Sequence, residues 1–187
     1  MFNLTEEQQQ HLLALARESI RYGLENGVAL PAPADFSEQP AACFVTLHLH
    51  GDLRGCIGQL EATEPLATAV VHNAFNAAFR DPRFAPLSSL EFPAIHIDIA
   101  VLGPLLPIVA ADEKNLLAVL QQKRSGVVLK YRDRRATFLP AVWRQLPEPV
   151  DFLAALKRKA GLQLGFWSDE FQFFSYDVQE FAEPQTS

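Results

Sequence analysis

Two cysteines in 187 residues cannot build a disulfide scaffold, and neither Cys43 nor Cys56 belongs to a C-x-x-C pair. The five histidines include no H-E-x-x-H, so no standard zinc spacing is present, and neither a metal nor another cofactor is expected. No apolar run is long enough to cross a bilayer. The longest, residues 99–111, has 13 residues and is interrupted by Gly103, Pro104 and Pro107. The opening MFNLTEEQQQ has neither the basic region nor the apolar region of a secretory signal. Together these absences predict a reduced, cytoplasmic protein with no membrane partner. Positive charge is also scarce: the formal net charge is -6, which argues against a general nucleic-acid coat protein, because phosphate affinity comes mainly from clustered Lys and Arg. Repeats and low-complexity tracts are missing. What is present is a chain with 49% apolar and 20% charged residues, enough for one sizeable core and a single domain with a small lobe.

The average charge hides an asymmetry. Residues 121–160 carry ten basic and three acidic side chains, a local +7, which leaves -13 on the rest. Such polarity can mark a site for an anionic small molecule, a nucleotide, RNA or an acidic protein, with Arg132 and Arg135 as natural contacts. The plainer reading is a solvated hairpin and helix face.

Residues 5–24 read as a helix: Thr5 and Gln8 form a capping box, Leu12, Ala16, Ile20 and Leu24 share a face, and Asn26-Gly27 stops it. Residues 30–42 hold three prolines without periodicity and read as an irregular arm. Residues 43–60 read as two strands joined at His50-Gly51-Asp52-Leu53. If Gly51 and Asp52 form the loop, Leu49 faces Arg54, Leu47 faces Cys56 and Val45 faces Gly58. That register puts Arg54 and Cys56 beside aliphatic residues, with His48 and His50 on the other face. Thr63 and Pro65 fit the start of a helix reaching Arg80, with Leu66, Val70, Ala74 and Ala77 inward and His72, Asn73, Asn76 and Arg80 on a polar face. Pro82 forces a turn. Strict alternation over Ile95, Ile97, Ile99 and Val101 marks a strand with one buried face. Residues 112–122 read as a helix, 127–139 as a second hairpin turning at Arg132-Asp133-Arg134, and Pro140 opens a short helix carrying Trp143. Another helix runs from Pro149 to a left-handed cap at Gly161, and residues 171–178 form a closing strand. Helices and antiparallel hairpins without regular alternation indicate an α+β domain.

Several blocks resemble a known family. Phe44-Val45-Thr46-Leu47 followed by Leu53-Arg54-Gly55-Cys56-Ile57-Gly58 is similar to the signature hairpin of the AMMECR domain, known in bacteria and archaea as protein A of the AmmeMemoRadiSam set. Ala78-Phe79-Arg80-Asp81-Pro82-Arg83-Phe84, then Ala136-Thr137-Phe138-Leu139-Pro140 with Val142-Trp143, and Lys159-Ala160-Gly161-Leu162 resemble its later blocks, in order. Ala141 departs from the pattern, standing where glutamine is common, so a role carried by that amide is absent here. The resemblance implies a two-lobed α+β domain with antiparallel hairpins, packed helices and a RAGNYA-type core. It also implies association with a Memo-like protein and a radical S-adenosylmethionine protein in an unidentified modification reaction, as an enzyme or enzyme-associated subunit.

The candidate site follows from the hairpin. Arg54, two residues before Cys56 on one strand, points to the same face, and a guanidinium near a thiol favours the nucleophilic thiolate, making the pair the catalytic candidates. Gly55 and Gly58 lack side chains and could let a ligand approach. His72, Asn73, Asn76 and Arg80 come from the next helix, which the short connection should fold back over the hairpin, and Arg83 flanks Asp81. These residues are the candidate substrate contacts. Each has a plainer reading: a buried inert thiol, glycines for tight packing, a solvated helix face, and arginines organising Asp81 and Glu91. Two histidines at His48 and His50 are a weak metal signal, His96 and Asp98 read as facing solvent or a second layer, and Trp143 with the final phenylalanines reads as core. The alternative function is a non-catalytic module docking an acidic partner, nucleotide or RNA through residues 121–160.

Overall fold

A computed structural model describes residues 3–31 and 40–184, so most of the proline-rich arm expected over residues 30–42 lies outside the described residues. The chain divides into two compact units, Phe2–Leu102 with Gln179–Ser187, and Gly103–Val178.

In the first unit, α1 (Glu6–Asn26) starts at the expected capping box, where Thr5 Oγ1 accepts from Gln8 N at 3.3 Å and Gln8 Oε1 accepts from Thr5 N at 2.9 Å. It ends at Gly27, whose φ of 72° is the left-handed cap. Strands β1 (Ala42–Leu49), β2 (Asp52–Gly58) and β3 (Ile95–Leu102) make a mixed-order antiparallel sheet with β8 (Val178–Ala182), in the order β2-β1-β3-β8. Between β2 and β3 lies α2 (Leu66–Phe79), which packs on β1 and β2 and is itself covered by α1. Its position explains its composition. Leu66, Ala67, Ala69, Val70, Val71, Ala74, Ala77 and Ala78 are all buried, because the helix has the sheet on one side and α1 on the other. The expected Thr63 cap is not used: Pro65 takes the cap position, and the Thr63 hydroxyl accepts from Gln59 Nε2 at 3.1 Å instead. The isoleucines of β3 face this core, as their alternation required.

The second unit is a sheet in the order β4-β7-β5-β6, built from β4 (Leu106–Ile108), β5 (Gly126–Tyr131), β6 (Arg134–Phe138) and β7 (Gln172–Tyr176), with α3 (Glu113–Gln122) and α4 (Pro149–Lys159). The hairpin β5–β6 turns on two residues, Arg132 and Asp133, with Tyr131 opposite Arg134. Trp143 is buried and stacks on Phe152 with ring centroids 3.7 Å apart, while its Nε1 donates to Ser125 O. Lys157 is only 1% exposed, and its charge is met by Glu113 Oε2 at 2.6 Å. The single closing strand expected over residues 171–178 is instead two strands in two sheets, β7 and β8, which part at Asp177. There the Asp177 carbonyl accepts from Gly103 N at 2.8 Å. No helix among the described residues is long and apolar enough to cross a membrane.

Candidate functional site

The signature hairpin differs from its expected register, and the difference decides which way the thiol points. Its loop is His50-Gly51, with φ of 54° and 90°, so both loop residues take the positive φ of a type I′ turn and Leu49 pairs with Asp52. A bulge then places Arg54 without a partner: His48 pairs with Leu53, but Leu47 pairs with Gly55 and Thr46 with Cys56. An inserted residue reverses the facing of everything beyond it. Gly55 therefore turns toward α2, where a Cβ would stand 2.1 Å from the Ala77 carbonyl oxygen. Cys56 turns to the opposite, open face. It does not lie beside Val45 and Leu47, as the unbulged pairing required. Its neighbour is Thr46, whose hydroxyl donates to the Cys56 sulfur at 3.2 Å.

Arg54 does not serve the sulfur. Its Nε donates to Glu91 Oε1 at 2.7 Å, one terminal nitrogen reaches the Ala85 carbonyl at 2.9 Å, and its plane lies over Phe84. The side chain braces the segment 84–91 against the edge strand. Glu91 also accepts from the backbone and hydroxyl of Ser88, and the Arg54 bond ahead of these holds its carboxyl down to about 2. Arg83 is the cation bonded to the Cys56 peptide. Asp81, with its side chain 2% exposed, accepts from Cys56 N at 2.9 Å and pairs with Arg83 at 2.7 Å, and Arg83 donates back to the Cys56 carbonyl at 3.3 Å. β2 is an edge strand, and Asp81 with Arg83 replaces the missing neighbour at the Cys56 peptide. Arg83 therefore joins the site by organising it, not by offering a free anion clamp.

The helix residues proposed to cover Cys56 lie across the sheet from it. Asn73 is buried in the core and its amide donates to the Cys43 carbonyl at 3.1 Å, so its partner is the other cysteine. Burial pushes the Cys43 thiol up to about 12, against a small opposing effect of that amide. His72 pairs through Nδ1 with Glu64 at 2.9 Å, Asn76 is half-buried on the same helix, and Arg80 is exposed over the Phe75 ring. The expectation failed because the helix does fold back over the hairpin, but onto the face that the bulge turned away from Cys56. Gly58 is likewise used in packing: a Cβ would meet the Phe44 ring at 2.4 Å and Cys43 O at 2.5 Å.

The open face carries a group that sequence reasoning set aside. Across β1 and β3, His48 pairs with His96 and Thr46 with Asp98, so the four share one face with Cys56. Asp98 takes His48 Nδ1 on one carboxylate oxygen at 3.1 Å and His96 Nε2 on the other at 3.4 Å. A hollow of about 690 Å³ opens here, lined by His48, His50, Gly51, His96 and Asp98 with Ala94 and Ala182. The signal was present in the alternation of His96 and Asp98 with the isoleucines. Only the strand pairing, absent from a linear reading, joins them to His48. Among the described residues, no group of three or more His, Cys, Asp and Glu is arranged to hold a metal ion.

The basic region of the second unit is less available than its count suggests. Arg132 pairs with Glu170 at 2.9 Å, Lys123 with Asp177 at 3.3 Å and Lys157 with Glu113, all acids outside residues 121–160. Arg134 donates to the Gly161 carbonyl and Lys159 to that of Thr137, closing α4 against the hairpin.

Comparison with known proteins adds kinship. The profile of the family described as AMMECR1 matches residues 13–181. A protein of Methanopyrus kandleri, MK0488, is 32% identical over 193 residues, covering 97% of this chain and 91% of that one. MJ0810 of Methanocaldococcus jannaschii is 35% identical over 155 residues, covering 81% and 77%. The crystal structure of the uncharacterized protein PH0010 from Pyrococcus horikoshii superposes with a TM-score of 0.87 at 27% identity, covering 97% of this chain and 94% of that one.

Proposed function

The chain belongs to the AMMECR1 family, and from that premise we propose that it is the protein A-type component of an AmmeMemoRadiSam set, an enzyme or enzyme-associated subunit acting through Cys56. One observation carries this reading. The bulge at Arg54 turns the half-buried Cys56 to the open face of the sheet, with a hydroxyl donor from Thr46 on its sulfur, while Asp81 and Arg83 fix its peptide. A partly exposed thiol in polar surroundings is the form in which cysteine serves as a nucleophile. Cys43, buried and raised, serves packing. A Memo-like protein and a radical S-adenosylmethionine protein are the partners that this reading requires. The module reading, docking through residues 121–160, loses Lys123, Arg132 and Lys157, which are already held by acids outside that region.

Iodoacetamide mapping of the folded protein at neutral pH tests the role of Cys56. Cys56 should be alkylated at least as fast as the thiol of a short unstructured peptide, with Cys43 protected. A rate tenfold or more below that of the peptide, about 1.4 kcal/mol in barrier, overturns the reading. Co-purification with the two partner proteins tests the rest.

A further inference from the structure

We propose that the hollow on the open face of the first unit binds a primary ammonium group, as carried by a lysine side chain or a polyamine. The carboxylate of Asp98 can only accept, so the ring nitrogens that face it, His48 Nδ1 and His96 Nε2, carry the protons in the neutral imidazoles. In those tautomers the lone pair stays on His48 Nε2 and on His96 Nδ1. With the remaining lone pairs of Asp98, the residues lining the hollow hold three acceptor groups and one negative charge. An ammonium offers three donors and one positive charge. An anion would meet the carboxylate directly, and no Lys or Arg lines the hollow among the described residues.

The field of the unit points the same way. Residues 2–102 and 179–187 contain five Arg and no Lys against fourteen Asp and Glu, a formal -9. Four of those arginines are committed: Arg17 to Glu183, Arg21 to Glu18 and Glu25, Arg54 to Glu91 and Arg83 to Asp81. The side chains of His48, His96 and Asp98 are 31%, 29% and 38% exposed, open enough for a ligand to reach. The proposal is independent of the reading of Cys56, which does not line the hollow.

The test is a titration of the full chain at pH 8, followed through the ring-nitrogen signals of His48 and His96 by long-range ¹H–¹⁵N NMR. One probe is lysine with its α-amine acetylated and its carboxyl amidated, and a second is spermidine. The control is the first probe acetylated on its ε-nitrogen as well. Both ammonium probes should shift the two imidazoles saturably, in the millimolar range expected of a small ligand, and the neutral control should not. Tighter binding of the capped lysine identifies a protein ligand, and tighter binding of spermidine a free polyamine. Asp98→Asn and His48→Gln should each weaken binding about tenfold, the cost of one charge-assisted bond. Equal shifts with the neutral control, no saturation, or an Asp98→Asn protein that binds like wild type overturns the proposal.

Discussion

Replacing Asp81 by alanine should loosen the signature hairpin without touching any apolar contact. Its carboxylate accepts from Cys56 N at 2.9 Å, from Arg83 N at 3.1 Å and from Arg83 Nε and a terminal nitrogen at 3.0 and 2.7 Å. The bond from a backbone N–H to a buried carboxylate is worth about 1.5–3 kcal/mol, since the alternative is an amide without a partner. Arg83, whose side chain is 53% exposed, can turn to water, so its pair adds at most about 1 kcal/mol. Because the Arg83 pair adds little to the bond from Cys56 N, the total comes to about 2–3 kcal/mol. At about 2 kcal/mol per molar urea, the midpoint falls by roughly 1–1.5 M. The probe must report the right unit: Trp143 and Trp167 both belong to Gly103–Val178, so far-UV circular dichroism and hydrogen exchange at the Cys56 amide are the assays. Acid supplies an internal control. Arg83, ahead of the two backbone donors and against the opposing effect of burial, holds the Asp81 carboxyl well below the usual carboxylate range. A group depressed on folding contributes fully above its unfolded pKa, about 3.9, and loses that contribution as pH falls toward the folded value. The gap between wild type and Asp81→Ala should therefore be constant from about pH 5 to 8 and shrink below about pH 4. A loss under about 0.5 kcal/mol at neutral pH, or unchanged exchange at Cys56, refutes this account of the edge.

Three further outcomes follow from the same geometry. Gly55→Ala should cost about 3 kcal/mol or prevent folding, because its Cβ meets the Ala77 carbonyl at 2.1 Å, whereas Gly165→Ala, with nothing within 4 Å, should leave the melting temperature nearly unchanged. Glu113→Gln strips the counter-charge from buried Lys157 and should cost about 1–2 kcal/mol by tryptophan-monitored urea unfolding, discounted because Glu113 is 41% exposed, while Lys157→Met stays within about 1 kcal/mol of wild type. Glu91, held at about 2 chiefly by Arg54, contributes stability above its unfolded pKa of about 4.3 that is lost as pH falls toward about 2, so the acid-unfolding curve of Glu91→Gln should be flatter across that window.

Local signals told a great deal here. The capping box at Thr5, the stop at Gly27, the alternation through β3 and the left-handed turn at Gly161 are each written in a few adjacent residues, and each stands where it was read. The α+β class followed from their mixture. The candidate site was legible by composition and not by geometry. Arg54, Cys56, Asp81 and Arg83 do meet at one strand edge, yet Arg54 is spent on Glu91 and it is Arg83 that bonds the Cys56 carbonyl. Asn73, a candidate substrate contact by sequence, is satisfied by Cys43, on the far side of the sheet from Cys56. His96 and Asp98 looked unremarkable because nothing near them in the chain needs them.

Helix ends, strand periods and family kinship were determined by the amino-acid order alone, because each depends on interactions spanning a few residues or on blocks matched as text. The facing of Cys56 and the meeting of His48, His96 and Asp98 were decided only in three dimensions. A bulge costs little locally, and it is placed where α2 needs Gly55 against Ala77, a contact between residues 22 positions apart in the chain. One inserted residue then carries the thiol from the helix-covered side of the sheet to the open one, and no periodicity in the strand itself records that choice.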